Sequence, residues 1–129
     1  MSELNVKKVV LVDDSPTLAT LFQRAALNME VELQIFNKTS EAWGYLEDNK
    51  PDLIFLNILM PGKDGLSTLK ELRSRPLHED TTIVMISSKD YAQDKSIASE
   101  LGAVDFIIKP MPIQVIKDAL IKHLGFASP

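Results

Sequence analysis

The chain has no cysteine, and this absence excludes two classes of protein. A disulfide-bonded scaffold cannot form, and a zinc site with cysteine ligands cannot be built. Neither is needed, because a chain of 129 residues buries enough surface to fold without a covalent or metal cross-link. This length is typical of a single domain, so one domain over residues 1–129 is expected.

The sequence also lacks an excess of positive charge and any long apolar run. Lysine and arginine total 14 against 18 acidic residues, a formal net charge of −4, so direct nucleic-acid binding is not expected. An apolar run such as residues 53–56 is far shorter than a membrane span. Residues 1–8 lack the apolar core of a signal peptide. These absences predict a cytoplasmic protein with no membrane partner.

What the chain does contain is an alternation of short apolar runs and longer amphipathic stretches. Strands are predicted at residues 6–12, 31–36, 53–56, 82–86 and 104–108. Helices are predicted from a Ser15 cap, from a cap at Thr39 or Ser40, around residues 66–72, and over residues 91–101 and 112–124. Five strands alternating with five helices predict a doubly wound α/β fold, with helices on both faces of a parallel sheet.

Polar residues stand where four of these strands end. They are Asp13, Asp14, Asn57, Ser87 and Lys109. In a doubly wound sheet, ligands bind beyond the carboxyl ends of the strands, so these side chains are expected in one pocket. Two nearby carboxylates repel unless a cation separates them, and Mg²⁺ prefers such oxygen ligands. A lysine and a hydroxyl beside the cation suit a phosphoryl group.

The order and spacing of these motifs resemble the receiver domain of two-component response regulators, over about residues 7–124. The matching segments are VVLVDDS at 9–15, PDLI at 51–54, MPGKDG at 60–65, Ser87, and FIIKP at 106–110. The resemblance implies a flavodoxin-like sheet with the strand order 2-1-3-4-5. It also implies specific roles for individual residues.

By this resemblance, Mg²⁺ is held by Asp13, Asp14, position 57 and the carbonyl of Leu59. Ser87 and Lys109 contact the phosphoryl group, and Ser87 with Phe106 forms the activation switch. The implied partners are a histidine kinase or phosphotransfer protein, and a downstream protein that binds helix 4, strand 5 and helix 5. A homodimer is left open. His78 and His123 match no catalytic arrangement and are predicted to lie at the surface.

Asn57 departs from the family pattern, because receivers carry the phosphoacceptor aspartate there. A carboxylate can attack phosphorus, whereas the amide nitrogen is delocalised and the amide oxygen is uncharged. The chain is therefore predicted to be a receiver module, not an enzyme, with phosphoryl acceptance disabled. The alternative is a pseudo-receiver that acts through protein interactions alone. Whether Asn57 is native or engineered is left open. Weak Mg²⁺ binding is expected, because the pocket has one carboxylate fewer.

Overall fold

A computed structural model describes residues 6–126, and a five-stranded sheet runs through its centre. The strands are β1 (Lys7–Val12), β2 (Val31–Phe36), β3 (Leu53–Asn57), β4 (Ile83–Ser87) and β5 (Asp105–Ile108). Their order is β2-β1-β3-β4-β5, and every neighbouring pair is parallel. The predicted fold class and strand order are confirmed. Residues 1–5 and 127–129, which the predicted domain includes, lie outside the described residues.

Five helices connect or follow the strands. They are α1 (Pro16–Ala26), α2 (Thr39–Leu46), α3 (Gly65–Arg73), α4 (Ala92–Glu100) and α5 (Ile113–Leu124), with a short 3₁₀ helix at Pro76–His78. Among residues 6–126, no helix combines the length and the apolar character needed to cross a bilayer.

The core consists of two apolar clusters, one on each face of the sheet. Successive residues of β1 alternate between them: Leu11 packs with residues of α1 and α5, and Val10 with residues of α2, α3 and α4. Phe22 of α1 meets Phe55 of β3 edge to face, with ring centroids 4.8 Å apart. Every residue of β3 and β4 is buried. Burial on both faces explains why these strands are continuously apolar.

The predicted caps differ in outcome between the first two helices. Ser15 caps α1 as predicted, and its hydroxyl accepts a hydrogen bond from the Leu18 amide at 3.2 Å. The predicted cap of α2 at Thr39 or Ser40 is wrong. The helix begins one residue earlier, because the Lys38 carbonyl already accepts the first helical bond from the Ala42 amide.

The prediction that both histidines lie at the surface is wrong. His78 is fully buried, and its ring nitrogens lie 2.6 Å from the Leu46 carbonyl oxygen and 3.0 Å from the Thr81 hydroxyl. His123 Nε2 lies 3.1 Å from Asp105 Oδ2 on β5. Both rings are accommodated inside because polar partners satisfy them. In these positions the histidines join structural elements and lie away from the strand ends that carry the predicted site.

Candidate functional site

The carboxyl ends of β1, β3, β4 and β5 meet at one edge of the sheet. Register aligns Val12 with Leu56, the residues just before Asp13 and Asn57. In the same way, Ser87 lies beside Ile108, which precedes Lys109. Sheet geometry therefore brings together four positions that are far apart in the sequence.

Asp13 and Lys109 form an ion pair at this edge. The Asp13 side chain is fully buried, and its Oδ2 lies 2.9 Å from Lys109 Nζ. Asp13 Oδ1 accepts a hydrogen bond from the Ser15 amide at 2.8 Å, which ties the carboxylate to the start of α1. Asp13 Oδ2 has the Lys109 ammonium as its charge partner and accepts no hydrogen bond. Charge pairing makes the burial of this carboxylate tolerable.

Ser87 is fully buried and is linked to Lys109 through the backbone. The Lys109 amide donates to the Ser87 carbonyl at 2.8 Å, and the Lys89 amide donates to the Ser87 hydroxyl oxygen at 3.0 Å. The peptide between Lys109 and Pro110 is cis. The hydroxyl and the ammonium are therefore carried by neighbouring strand ends that are hydrogen-bonded to each other.

Asn57 turns its amide nitrogen toward the backbone of the following loop. Its Nδ2 donates to the Leu59 carbonyl at 2.8 Å and lies 3.8 Å from Met60 Sδ. The side chain is buried, and Oδ1 has no hydrogen-bond partner. The reverse orientation would set two acceptor oxygens against each other, so the contact with Leu59 fixes the amide.

The two other predicted residues lie at the margins of this group. Asp14 is exposed and, with Asp13 and Glu41, lines an open cavity of about 370 Å³. Phe106 lies on β5 opposite Met85, and its half-buried ring packs against the apolar cluster that includes α2, α3 and α4. Asp14 therefore faces solvent beside the pocket, while Phe106 contributes packing and no polar group.

The residues present fit an oxygen-preferring cation such as Mg²⁺ in most respects. Asp13 Oδ2 and Asn57 Oδ1 are buried oxygens without a hydrogen-bond donor, and Asp14 adds an exposed carboxylate. Within residues 6–126, no group of three or more acidic or histidine side chains is arranged to hold a metal. A cation would therefore rest on two acids supplemented by amide or carbonyl oxygens. The Leu59 carbonyl differs from the rest, because it already accepts from Asn57.

Gly65 is a site-supporting residue whose role the sequence pattern does not predict. Its amide donates to the Ile58 carbonyl at 2.7 Å, so α3 begins directly against the end of β3. A Cβ atom at this position would lie 2.2 Å from the Asn57 carbonyl oxygen. The sequence pattern places Gly65 only in a turn, and the one available signal is the glycine that closes the MPGKDG loop.

Comparison with known proteins gives one consistent family. Residues 9–121 match the response regulator receiver domain. The chain is 32% identical over 126 residues to the alkaline phosphatase synthesis transcriptional regulatory protein PhoP of Bacillus subtilis. This alignment covers 95% of the chain and 52% of PhoP, so the chain spans about half the length of that relative.

Solved structures agree with this assignment. The phosphorylated cyanobacterial phytochrome response regulator RcpA superimposes with a TM-score of 0.85 at 27% identity, over 95% of this chain and 97% of RcpA. The signal receiver domain of a histidine kinase from Syntrophus aciditrophicus gives a TM-score of 0.80 at 26% identity, over 93% and 91%. The chain therefore belongs to the response regulator receiver domain family.

Proposed function

We propose that this chain is a phosphorelay receiver module that retains its phosphoryl-binding groups and lacks only the acceptor. The observation that carries the proposal is the ion pair of the fully buried Asp13 with the partly buried Lys109, which lies with the buried Ser87 at the same sheet edge as Asn57. Burying an ion pair is costly unless it is well compensated, so this arrangement favours a site built for ligand chemistry. Ion pairs with a purely structural role also occur, and binding of a phosphoryl analogue distinguishes a ligand-binding site from a structural ion pair.

The chemistry follows from the groups at this edge. With aspartate at position 57, a carboxylate oxygen would form a bond to phosphorus while the bond from phosphorus to the donor breaks. The Lys109 ammonium would neutralise the phosphoryl oxygens, and the Ser87 hydroxyl would donate to one of them. Asp13 and Asp14 would hold Mg²⁺, which supplies further charge neutralisation. With Asn57 the first step fails, because the amide offers no comparable nucleophile.

Partners are proposed from the family. Receiver domains generally bind Mg²⁺, are not enzymes, and interact with histidine kinases or phosphotransfer proteins. For this chain, we propose a downstream protein that binds the surface formed by α4, β5 and α5. Exposed Tyr91, Val104 and Val115 lie on or beside these elements and support this surface. The switch role of Ser87 and Phe106, a homodimer and a cytoplasmic location stay predictions.

A second function has an observation in its favour. The Asn57 amide is held by the Leu59 carbonyl, which gives position 57 a defined conformation without any ligand. That arrangement suits a pseudo-receiver, which would present one fixed surface to its partners. This function would be supported if substitution of Tyr91 abolished partner binding and if phosphoryl analogues had no effect at position 57.

The test is binding of beryllofluoride, an analogue of the phosphoryl group. We expect Asn57→Asp to bind it in the presence of Mg²⁺, because the carboxylate provides the oxygen to which beryllium bonds. The unsubstituted chain should not bind, and binding is followed by fluorine NMR. Asn49→Asp is the matched control, because Asn49 is exposed and also donates to a backbone carbonyl. If Asn57→Asp shows no bound fluorine signal, the pocket does not function as a receiver site.

A further inference from the structure

The hydrogen bond between Asn57 and Leu59 engages a group that a cation would need. The Leu59 carbonyl belongs to the implied ligand set, and Asn57 Nδ2 donates to it at 2.8 Å. An amide N–H₂ group carries partial positive charge and points it at the oxygen, as a cation would. The same pocket pairs another implied ligand, the buried Asp13, with Lys109. Two members of the set therefore already have electropositive neighbours from the chain itself.

Mg²⁺ tolerates such competition poorly. It demands near-octahedral geometry at about 2.0–2.1 Å, so its ligands must be free to approach closely. A positively polarised N–H₂ group at the same carbonyl would repel the ion and occupy part of the space around the oxygen. Binding would then require the Asn57 amide to turn away and lose its hydrogen bond.

We propose that the Asn57 amide nitrogen takes the place of the cation at the Leu59 carbonyl and thereby holds the pocket in a metal-free state. The inference rests on the proposed function for the identity of the cation as Mg²⁺. It differs from an explanation by charge alone, in which Asn57 weakens binding only because it lacks the negative charge of aspartate. If charge alone decided the Mg²⁺ affinity, any neutral residue at position 57 would give the same weak affinity. A residue without the amide oxygen would give a weaker affinity still.

Asn57→Ala separates these explanations, because it leaves the charge unchanged and removes the donor. We expect it to bind Mg²⁺ about two- to tenfold more tightly than the unsubstituted chain, which is the range that one hydrogen bond contributes. Calorimetric titration with MgCl₂ measures the affinity. The rise in melting temperature on adding MgCl₂ provides a second readout, because a ligand that binds only the folded state stabilises it.

The controls keep the outcome decisive. Asn49→Ala removes an equivalent side-chain bond, to the Tyr45 carbonyl at 2.8 Å, and should leave the affinity unchanged. Asn57→Val replaces Asn57→Ala if the smaller side chain prevents folding. Equal, weaker or undetectable Mg²⁺ binding by the position-57 variant overturns the inference. Asn57→Asp, titrated in parallel, tests the proposed function. If this variant does not bind Mg²⁺ more tightly than the unsubstituted chain, the result counts against the receiver site, independently of the result for Asn57→Ala.

Discussion

Replacing Gly65 with alanine is expected to destabilise the domain by about 3 kcal/mol, at the upper end of the range for overpacked sites. The new Cβ atom would lie 2.2 Å from the Asn57 carbonyl oxygen and 2.9 Å from Ile58 Cα. Both are backbone atoms at or next to the β3 end, so no side chain can rotate to relieve the clash. Either α3 or the end of β3 must move, and the Asn57 position moves with them.

Urea denaturation measures this effect, and Gly44→Ala is the matched control. Gly44 lies within α2, and a Cβ atom there would meet nothing within 4 Å. Alanine at position 44 should therefore raise the free energy of unfolding by about 0.5–1 kcal/mol, because it restricts the unfolded chain and favours the helix. If the free energy of unfolding of the Gly65→Ala protein lies within about 1 kcal/mol of that of the unsubstituted chain, α3 does not pack as closely against the end of β3 as described.

Lys109→Met is expected to destabilise the fold by about 2–3 kcal/mol, because it leaves the fully buried Asp13 carboxylate without its charge partner. The loss of folding stability should be smaller than for a fully buried ion pair, because 23% of the Lys109 side chain is exposed and water can enter. Adding Asp13→Asn to Lys109→Met should recover much of the loss. The amide oxygen that this substitution introduces can still accept from the Ser15 amide, while the unpaired charge is gone.

A double-mutant cycle over positions 13 and 109 gives the coupling energy between the two side chains. Lys63→Met serves as the comparison, because Lys63 pairs with Glu71 at 3.0 Å where the two side chains are 41% and 38% exposed. Its loss should stay below about 1 kcal/mol, as for most surface pairs. A Lys109→Met loss no larger than that of Lys63→Met would mean that the buried pair contributes no special stabilisation.

The α/β fold class could be predicted because its signals are local and repeated, whereas the strand order was implied by the family resemblance. The five apolar runs are long enough to define strands, and Ser15 with Pro16 is an unambiguous helix start. Because parallel strands end at the same edge of the sheet, the grouping of residues such as Asp13 and Lys109 could be predicted from the strand assignments alone. The α2 cap was missed because Lys38, Thr39 and Ser40 are adjacent and only the path of the backbone decides which one begins the helix.

The remaining features depend on contacts between distant segments. His78 lies in a polar stretch typical of a surface loop, yet it is buried because the Leu46 carbonyl, 32 residues away, provides a polar partner for its ring. No sequence pattern encodes the direction of the Asn57 amide, which follows from the position of the Leu59 carbonyl. The close approach at Gly65 likewise arises only when α3 is placed on β3.

The most direct test of the central proposal is phosphoryl transfer to position 57. The Asn57→Asp protein is incubated with Mg²⁺ and a small phosphodonor, and intact-mass spectrometry detects the product. We expect a mass increase of one phosphoryl group that is labile to base, as an acyl phosphate is. The unsubstituted chain and Asn49→Asp should gain none. An Asn57→Asp protein that folds, binds Mg²⁺ and yet gains no phosphoryl group would contradict the proposal that this pocket lacks only its acceptor.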